Sequence, residues 1–399
     1  MSLPTVATAL ATMLAEVQPL AGECVPVDRA DRRWLSEDVA ATRDQPPFDS
    51  SAMDGWAVRT VDVAVRASLR IVGESAAGHR SGVPLKAGET VRISTGAPLP
   101  EGADRVVMQE DAERLGDLLA YGPAGLAPTY VRPRGCDFRE GETLLRAGER
   151  MNPWRLALAA SAGAGILRCG RLPRVAIVAT GDELVEPGQA PGPDQIYNSG
   201  APSVGAFVMR HGGEAVRVAT ASDSEVAIID AIGGVDFDIL VTIGGASVGD
   251  HDLVKPALKS HGAIMHIEGV AVRPGKPVWF AVLADGRPVL GLPGNPASAL
   301  VCAELFLAPL LARFQGGSAE GRFETAVLAT DLPANGARDH YIRAHAVAGT
   351  DGRRRVTPFT DQDSSLVTIM AAANVLIRRP PGAPSATAGT AVTILGPTL

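Results

Sequence analysis

The chain has 399 residues, 46% hydrophobic and 20% charged, with a formal net charge of −7. That length exceeds one compact core, and roughly 150 residues per domain gives two to four domains. The acidic balance excludes a global basic footprint for nucleic acid, and no apolar run reaches the roughly 18 residues of a membrane span.

Residues 2–21 predict an amphipathic helix through Val6, Leu10, Met13, Leu14 and Val17, ended near Gln18-Pro19. A second short helix is expected over 28–40, around Trp34, Leu35 and Val39. Past Pro46-Pro47 the composition turns to β, with strands expected at 67–72, 89–93 and 104–108, a small module spanning 50–134. Asn152 as cap and Pro153 in the first turn start a helix over 153–164.

From 173 the rhythm becomes strand and helix in alternation. Strands are expected at 174–180, 214–220, 237–243, 263–268, 277–284 and 288–292. Helices are expected at 199–211, 224–232, 252–261 and 297–313. This spacing implies a parallel sheet covered by helices, with ligands bound beyond the strands' C-terminal ends. Gln315-Gly316-Gly317-Ser318 reads as a linker, and the remainder as strands only, at 323–330, 341–348, 353–358, 374–379 and 390–395. Those strands make a small β-barrel or an open sheet.

The four cysteines, Cys24, Cys136, Cys169 and Cys302, lie far apart, so neither a zinc site nor a disulfide framework is expected. This usage fits a reducing cytosol. Residues 1–20 carry no basic stretch followed by an apolar core, so no secretory signal is expected.

Five short runs carry the chemistry. Pro47 to Val58 holds Asp49 and Asp54 among small residues, and Asp54-Gly55 is a strong turn dipeptide. Alone it reads as a solvated turn. Thr180-Gly181-Asp182-Glu183-Leu184 follows the first apolar strand. Its carboxylates suit Mg²⁺ in a ligand crevice, and suit an ordinary solvated loop equally. Thr242 to Asp252 offers Gly244, Gly245 and Ser247, with Asp250 and Asp252 at the rim. Free N–H groups there suit an oxyanion, although Gly-Gly also serves as a packing turn, and the run is neither a Walker loop nor a GxGxxG fingerprint. Arg273-Pro274-Gly275-Lys276-Pro277 places two cations on a constrained loop. Pro293, Gly294, Asn295 and Pro296 open the long helix and offer a second oxyanion cradle.

Together these runs resemble the molybdopterin molybdenumtransferase family, to which the C-terminal domain of gephyrin also belongs. Ser51-Ala52-Met53-Asp54-Gly55 is followed by the 94–104 segment, by Arg134-Gly135-Cys136-Asp137 with Gly141-Glu142, and then by the four α/β runs. The resemblance implies a multidomain, elongated homodimer of class α/β plus β. It divides as 1–49 with 135–172 (helical), 50–134 (inserted β module), 173–316 (doubly wound, molybdopterin-binding) and 317–399 (C-terminal β-barrel). The implied cleft lies between the α/β domain and the β module of the other subunit. Asp54, Thr95 and Asp137 match cleft positions on the β-module side, and Glu183, Asp223, Asp252, Arg273, Lys276, Pro293 and Pro296 match the α/β side. Gly244, Gly245, Ser247, Gly294 and Asn295 complete the implied binding set. The implied reaction is Mg²⁺-dependent: adenylated molybdopterin and molybdate give molybdenum cofactor and AMP, with Glu183 and Asp252 as candidate metal holders. The resemblance further implies a cytoplasmic enzyme fed by the upstream molybdopterin adenylyltransferase, with neither nucleic acid nor membrane as partner.

Three positions depart from the family pattern. Trp56 stands where Tyr or Phe is usual, Arg273 where Lys is common, and Ile243 where a small residue precedes the Gly-Gly pair. The rival readings are the adenylyltransferase itself, whose fold resembles residues 173–313, and a gephyrin-like dimeric scaffold.

Overall fold

The structure is a computed structural model that describes residues 3–63, 68–121, 128–245, 253–318 and 323–396. Its central sheet is built on the strand Arg174–Thr180, buried at every position after Arg174. An apolar run of that kind needs cover on both faces. The sheet has six strands in the order Glu214–Ala221, Arg174–Thr180, Ile239–Ile243, Pro288–Leu292, Trp279–Val282, Ile264–Ile267. The helices Gly200–Arg210 and Pro296–Phe314 share a core with one face. Glu225–Ile232 and Val254–Ser260 share a core with the other.

The expected all-parallel arrangement holds for the first four strands; Trp279–Val282 is reversed, and Ile264–Ile267, antiparallel to it, runs again in the direction of the first four. The reason is the link 283–287, which is too short for a crossover and closes as a hairpin, with Leu283 N–H donating to Arg287 O at 2.8 Å. The long helix is α over Pro296–Cys302, widens to a π turn at Ala303–Leu307, and returns to α over Ala308–Phe314. Pro309 has no N–H to give to the preceding turn and its ring crowds that carbonyl, which accounts for the widening.

The first helix is Val6–Ala15, capped by the Thr5 hydroxyl and shorter than its apolar pattern. Its Val6, Ala9 and Met13 enter the core beside the long helix. The helix expected over 28–40 does not form. Val27–Arg29 makes a single 3₁₀ turn, Arg32 takes a positive φ of 63°, and Trp34, Leu35 and Val39 are extended. They bridge Arg150 and Cys169 and pair with Thr143–Leu145, so pairing with distant segments overrides a local periodicity.

The β module is a six-stranded sheet containing Gly55–Val58, Ser68–Ser75, Glu89–Ile93 and Arg105–Met108. The C-terminal strands close into a barrel, because Val375–Arg379 pairs both with Ala391–Leu395 and with Asp339–Ala348. This region does not consist of strands only: a helix, Val367–Ala372, sits between them, with Met370 packed on the core that holds the long helix. The strand before the basic loop, Val272–Arg273, pairs with the barrel strand Asp339–Ala348 and not with the α/β sheet.

Trp279 lies flat across Gly291, where an added methyl group would meet the indole at 1.9 Å. Gly291→Ala is therefore expected to destabilise the fold by about 1–3 kcal/mol, the usual cost of overpacking a filled core. Urea unfolding should show a lower midpoint with an unchanged slope.

Candidate functional site

The first α/β loop begins where Arg174–Thr180 ends. Asp182 Oδ1 accepts the Asp223 N–H at 3.1 Å, so the carboxylate of Asp182 fixes the neighbouring loop. Glu183 is exposed and turns back over Gly181, its carboxylate oxygens 2.5 and 2.7 Å from where a Cβ on Gly181 would stand. The two acids thus divide: Asp182 joins two loops, and Glu183 is presented to solvent at the strand end. Among the described residues no three His, Cys, Asp or Glu side chains converge. Ser247 and Asp252, expected here, lie outside the described residues.

Gly244 and Gly245 turn the chain with φ of +95° and +57°. A methyl group at Gly244 would sit 2.5 Å from the Thr180 carbonyl oxygen, and one at Gly245 2.4 Å from Val254 Cγ2. Only glycine fits this turn. Gly294 approaches it from the next strand, its Cβ position 3.5 Å from Gly244 Cα. Gly181, Glu183, Gly244, Gly245 and Gly294 therefore gather at the C-terminal edge of the parallel strands.

Pro293 to Pro296 open the long helix, with Pro in the first turn and Asn295 as cap residue. The Asn295 side chain makes no cap bond; its amide donates to Ser364 Oγ at 2.9 Å. Ala297 N–H donates to the Ser364 carbonyl at 3.3 Å. One of the helix's free donors is thus taken by a barrel loop. Arg343 holds that loop in place: buried, it donates to Gln362 Oε1 and to the carbonyls of Asp363 and Leu366.

The basic loop lies against the long helix, where a methyl on Gly275 would meet Cys302 Sγ at 2.2 Å. Arg273 and Lys276 are both exposed. Arg273 stands beside His340 in the barrel register. Burial first, then Arg273, Arg338 and Arg343, pushes the His340 imidazole down to about 4. Ser364, Arg338 and Arg343 escaped the sequence reading. No local signal marked them: Arg343 lies on the strand face of Tyr341, opposite Ile342 and Ala344 of the barrel core.

The β-module side forms its own cluster. Ser51 N–H donates to Ala97 O at 3.0 Å and Gly96 N–H to Ser51 O at 2.8 Å. Ser50–Ser51 also pairs with Val131–Arg132. Asp54 Oδ1 accepts the Thr95 N–H at 2.7 Å. That bond, then the Thr95 hydroxyl and the nearby Arg92 charge, holds the Asp54 carboxyl below its ordinary range. Asp49 accepts the Arg134 N–H at 2.8 Å, and Asp137 N–H donates to Gln45 O at 3.0 Å. These bonds tie Asp54, Thr95 and Asp137 to segments within 44–137, and the α/β bonds described above tie theirs to the sheet and barrel. A separate apolar cavity of about 720 Å³, lined by Leu10, Leu14, Leu305 and Tyr341 among others, contains none of the expected site residues.

Three family models match the chain: the MoeA N-terminal region (domain I and II) at 4–163, a probable molybdopterin binding domain at 176–313, and the MoeA C-terminal region (domain IV) at 325–396. A molybdopterin molybdenumtransferase of Nostoc sp. is 36% identical over 332 residues, 80% of this chain and 76% of that one. One from Staphylococcus aureus is 31% identical over 379 residues, 93% of this chain and 90% of that one. The crystal structure of a molybdopterin biosynthesis MoeA protein from Pyrococcus horikoshii has a TM-score of 0.83 at 25% identity, covering 99% of this chain and 100% of that one.

The depressed His340 sets a pH dependence. An unfolded histidine binds its proton near 6.5, whereas folded His340 does so near 4. Between those values the unfolded chain holds more protons, so stability falls as pH drops through that window and is full above it. His340→Gln should flatten this part of the profile when urea midpoints are measured against pH.

Proposed function

The chain belongs to the molybdopterin molybdenumtransferase family, transferases of molybdenum cofactor biosynthesis, and from that premise we propose that it inserts molybdate into adenylated molybdopterin, releasing AMP. The reading is supported above all by the matched regions falling in order along one chain, with exposed Glu183 just past the strand end, Thr180, that backs the glycine turn.

The substrate joins a pterin to AMP through a phosphoanhydride, and molybdate is a dianion. Exposed Arg273 and Lys276, with buried Arg343 behind them, give the acidic chain a local field that attracts both. Neutral His340 adds no charge at pH 7 and leaves that field to the arginines and the lysine. The oxygen donors at the end of Arg174–Thr180 are carboxylate and hydroxyl, the hard set that Mg²⁺ takes together with phosphate oxygens. Glu183, with Asp252, would hold the ion, which when bound withdraws charge from the scissile phosphoanhydride. Pro293 and Gly294 bring the backbone close to the substrate, and Asn295 ties that loop to Ser364 of the barrel.

The assembly that goes with this reading is a homodimer whose cleft faces Asp54, Thr95 and Asp137 of one subunit toward Glu183, Asp223, Arg273 and Lys276 of the other. Support comes from the way each set is held by its own module. Cytoplasmic placement and supply of substrate by the upstream adenylyltransferase belong to the same proposal. Among the described residues one helix, Pro296–Phe314, is long and apolar enough to cross a membrane, and 89% of its most apolar stretch is buried inside the fold.

The test is AMP release from adenylated molybdopterin with Mg²⁺, with and without molybdate. Molybdate-dependent release is expected for the wild type. Glu183→Ala should lower it by about 10²-fold or more, the scale of losing a metal-holding charge. Release that ignores molybdate, or that survives Glu183→Ala unchanged, would sink the reading.

A further inference from the structure

Three buried polar atoms on the α/β sheet find no hydrogen-bond partner among the described residues: Thr180 Oγ1, Thr242 Oγ1 and Trp279 Nε1. These residues are 4%, 1% and 0% exposed. Buried groups left unpaired are rare enough that each calls for an explanation. Here they share one face. Register places Val178 opposite Thr242, Thr242 opposite Gly291, and Gly291 opposite Trp279. Thr180 stands two residues beyond Val178, so its side chain points to the same side.

The row ends at the site. Thr180 Oγ1 lies 3.1 Å from the Cβ position of Gly244 and 3.3 Å from that of Gly245. Because both residues are glycine, no side chain stands between the hydroxyl and the turn. The Gly244 N–H is spent on the Leu292 carbonyl at 3.2 Å, so the donor this turn offers an anion is the Gly245 N–H beside the hydroxyl. The hydroxyl beneath it has a proton to donate and, among the described residues, no bond to give up. A ligand oxygen on the turn would gain that bond without breaking one, which is the energetic advantage of a preorganised site.

We propose that Thr180 is a further substrate-binding residue, whose hydroxyl donates to a phosphate oxygen of adenylated molybdopterin seated on the Gly244-Gly245 turn. The inference rests on the reading of function above and names one of its contacts. Thr242 and Trp279 continue the row away from the turn into the sheet and touch no substrate.

Full-length protein titrated calorimetrically with adenylated molybdopterin and Mg²⁺, without molybdate, tests this. Thr180→Val keeps the branched shape and removes the hydroxyl. It should raise Kd about tenfold, as the loss of one bond to a charged group does. It should not lower the Tm of the free protein, because the hydroxyl it removes has no partner among the described residues. Thr180→Ser should restore most of the affinity, and Thr242→Val should leave Kd unchanged. If the valine variant does not fold, Thr180→Ala against Thr180→Ser isolates the same hydroxyl. An unchanged Kd in Thr180→Val, with a lowered Tm, overturns the proposal and assigns the hydroxyl to a structural water. Wild-type protein that binds no adenylated molybdopterin overturns the functional reading, and this inference with it.

Discussion

The strand Arg174–Thr180 is apolar on both sides, and that single fact organises the α/β region. Such a strand has no solvated face to offer, so helices must cover the sheet on both sides. Once they do, the backbone can reach solvent only at the strand ends. At the C-terminal edge Thr180, Ile243 and Leu292 each give way to a loop rich in glycine or proline. The strand ends bring Thr180, Gly244 and Gly294 close together because their strands are near neighbours in the sheet. Site formation on this side is a consequence of strand order, not of proximity in sequence.

The barrel changes the electrostatics of that edge. An exposed arginine and lysine on a loop would be screened in water and weakly placed. Here the loop is clamped from two directions. Gly275 sits against Cys302 of the long helix, and Val272–Arg273 adds to the barrel beside Asp339 and His340. Arg343 is buried behind them, and its donors are spent on backbone carbonyls and an amide. The carboxylates of Asp361 and Asp363 lie near enough to act on its charge, while its hydrogen bonds go to these neutral groups. Burial first, and then the same field, keeps His340 from taking its proton. A neutral imidazole among three guanidinium groups suits the anion binding proposed above, since a carboxylate in that place would compete with the ligand.

Local patterns in the sequence were most legible where burial is two-sided or backbone geometry is extreme. The limits of Arg174–Thr180 and Pro288–Leu292 could be read directly, because continuous apolar runs bounded by turn residues have few alternatives. The turn at Gly244 and Gly245 was legible because a glycine pair favours positive φ, whereas the acids of 180–184 suited a ligand crevice and a solvated loop equally. The stretch 28–40 was misread because Trp34, Leu35 and Val39 match a helical period by accident while their pairing partners lie more than a hundred residues away. The antiparallel pair at the sheet edge was hidden because a strand's direction depends on its link, not on its composition. Ser364 and Arg343 were invisible as site residues because their role arises from docking between the barrel and the long helix.

The division of labour between the two acidic clusters follows from how each is held. Asp54 is fixed by the Thr95 N–H and Asp49 by the Arg134 N–H, so the β-module loop is shaped before any other region meets it. Glu183 is shaped by Gly181, and its neighbour Asp182 by the loop at Asp223. Neither cluster borrows a partner from the other to reach its geometry. Two preformed surfaces of this kind lose little conformational entropy when brought face to face, because the ordering has already been met within each module. A cleft assembled from them is then sensitive to how the modules are placed, while each surface stays intact when the assembly opens. In the homodimer proposed above, that independence lets the shared cleft open without dismantling its own loops.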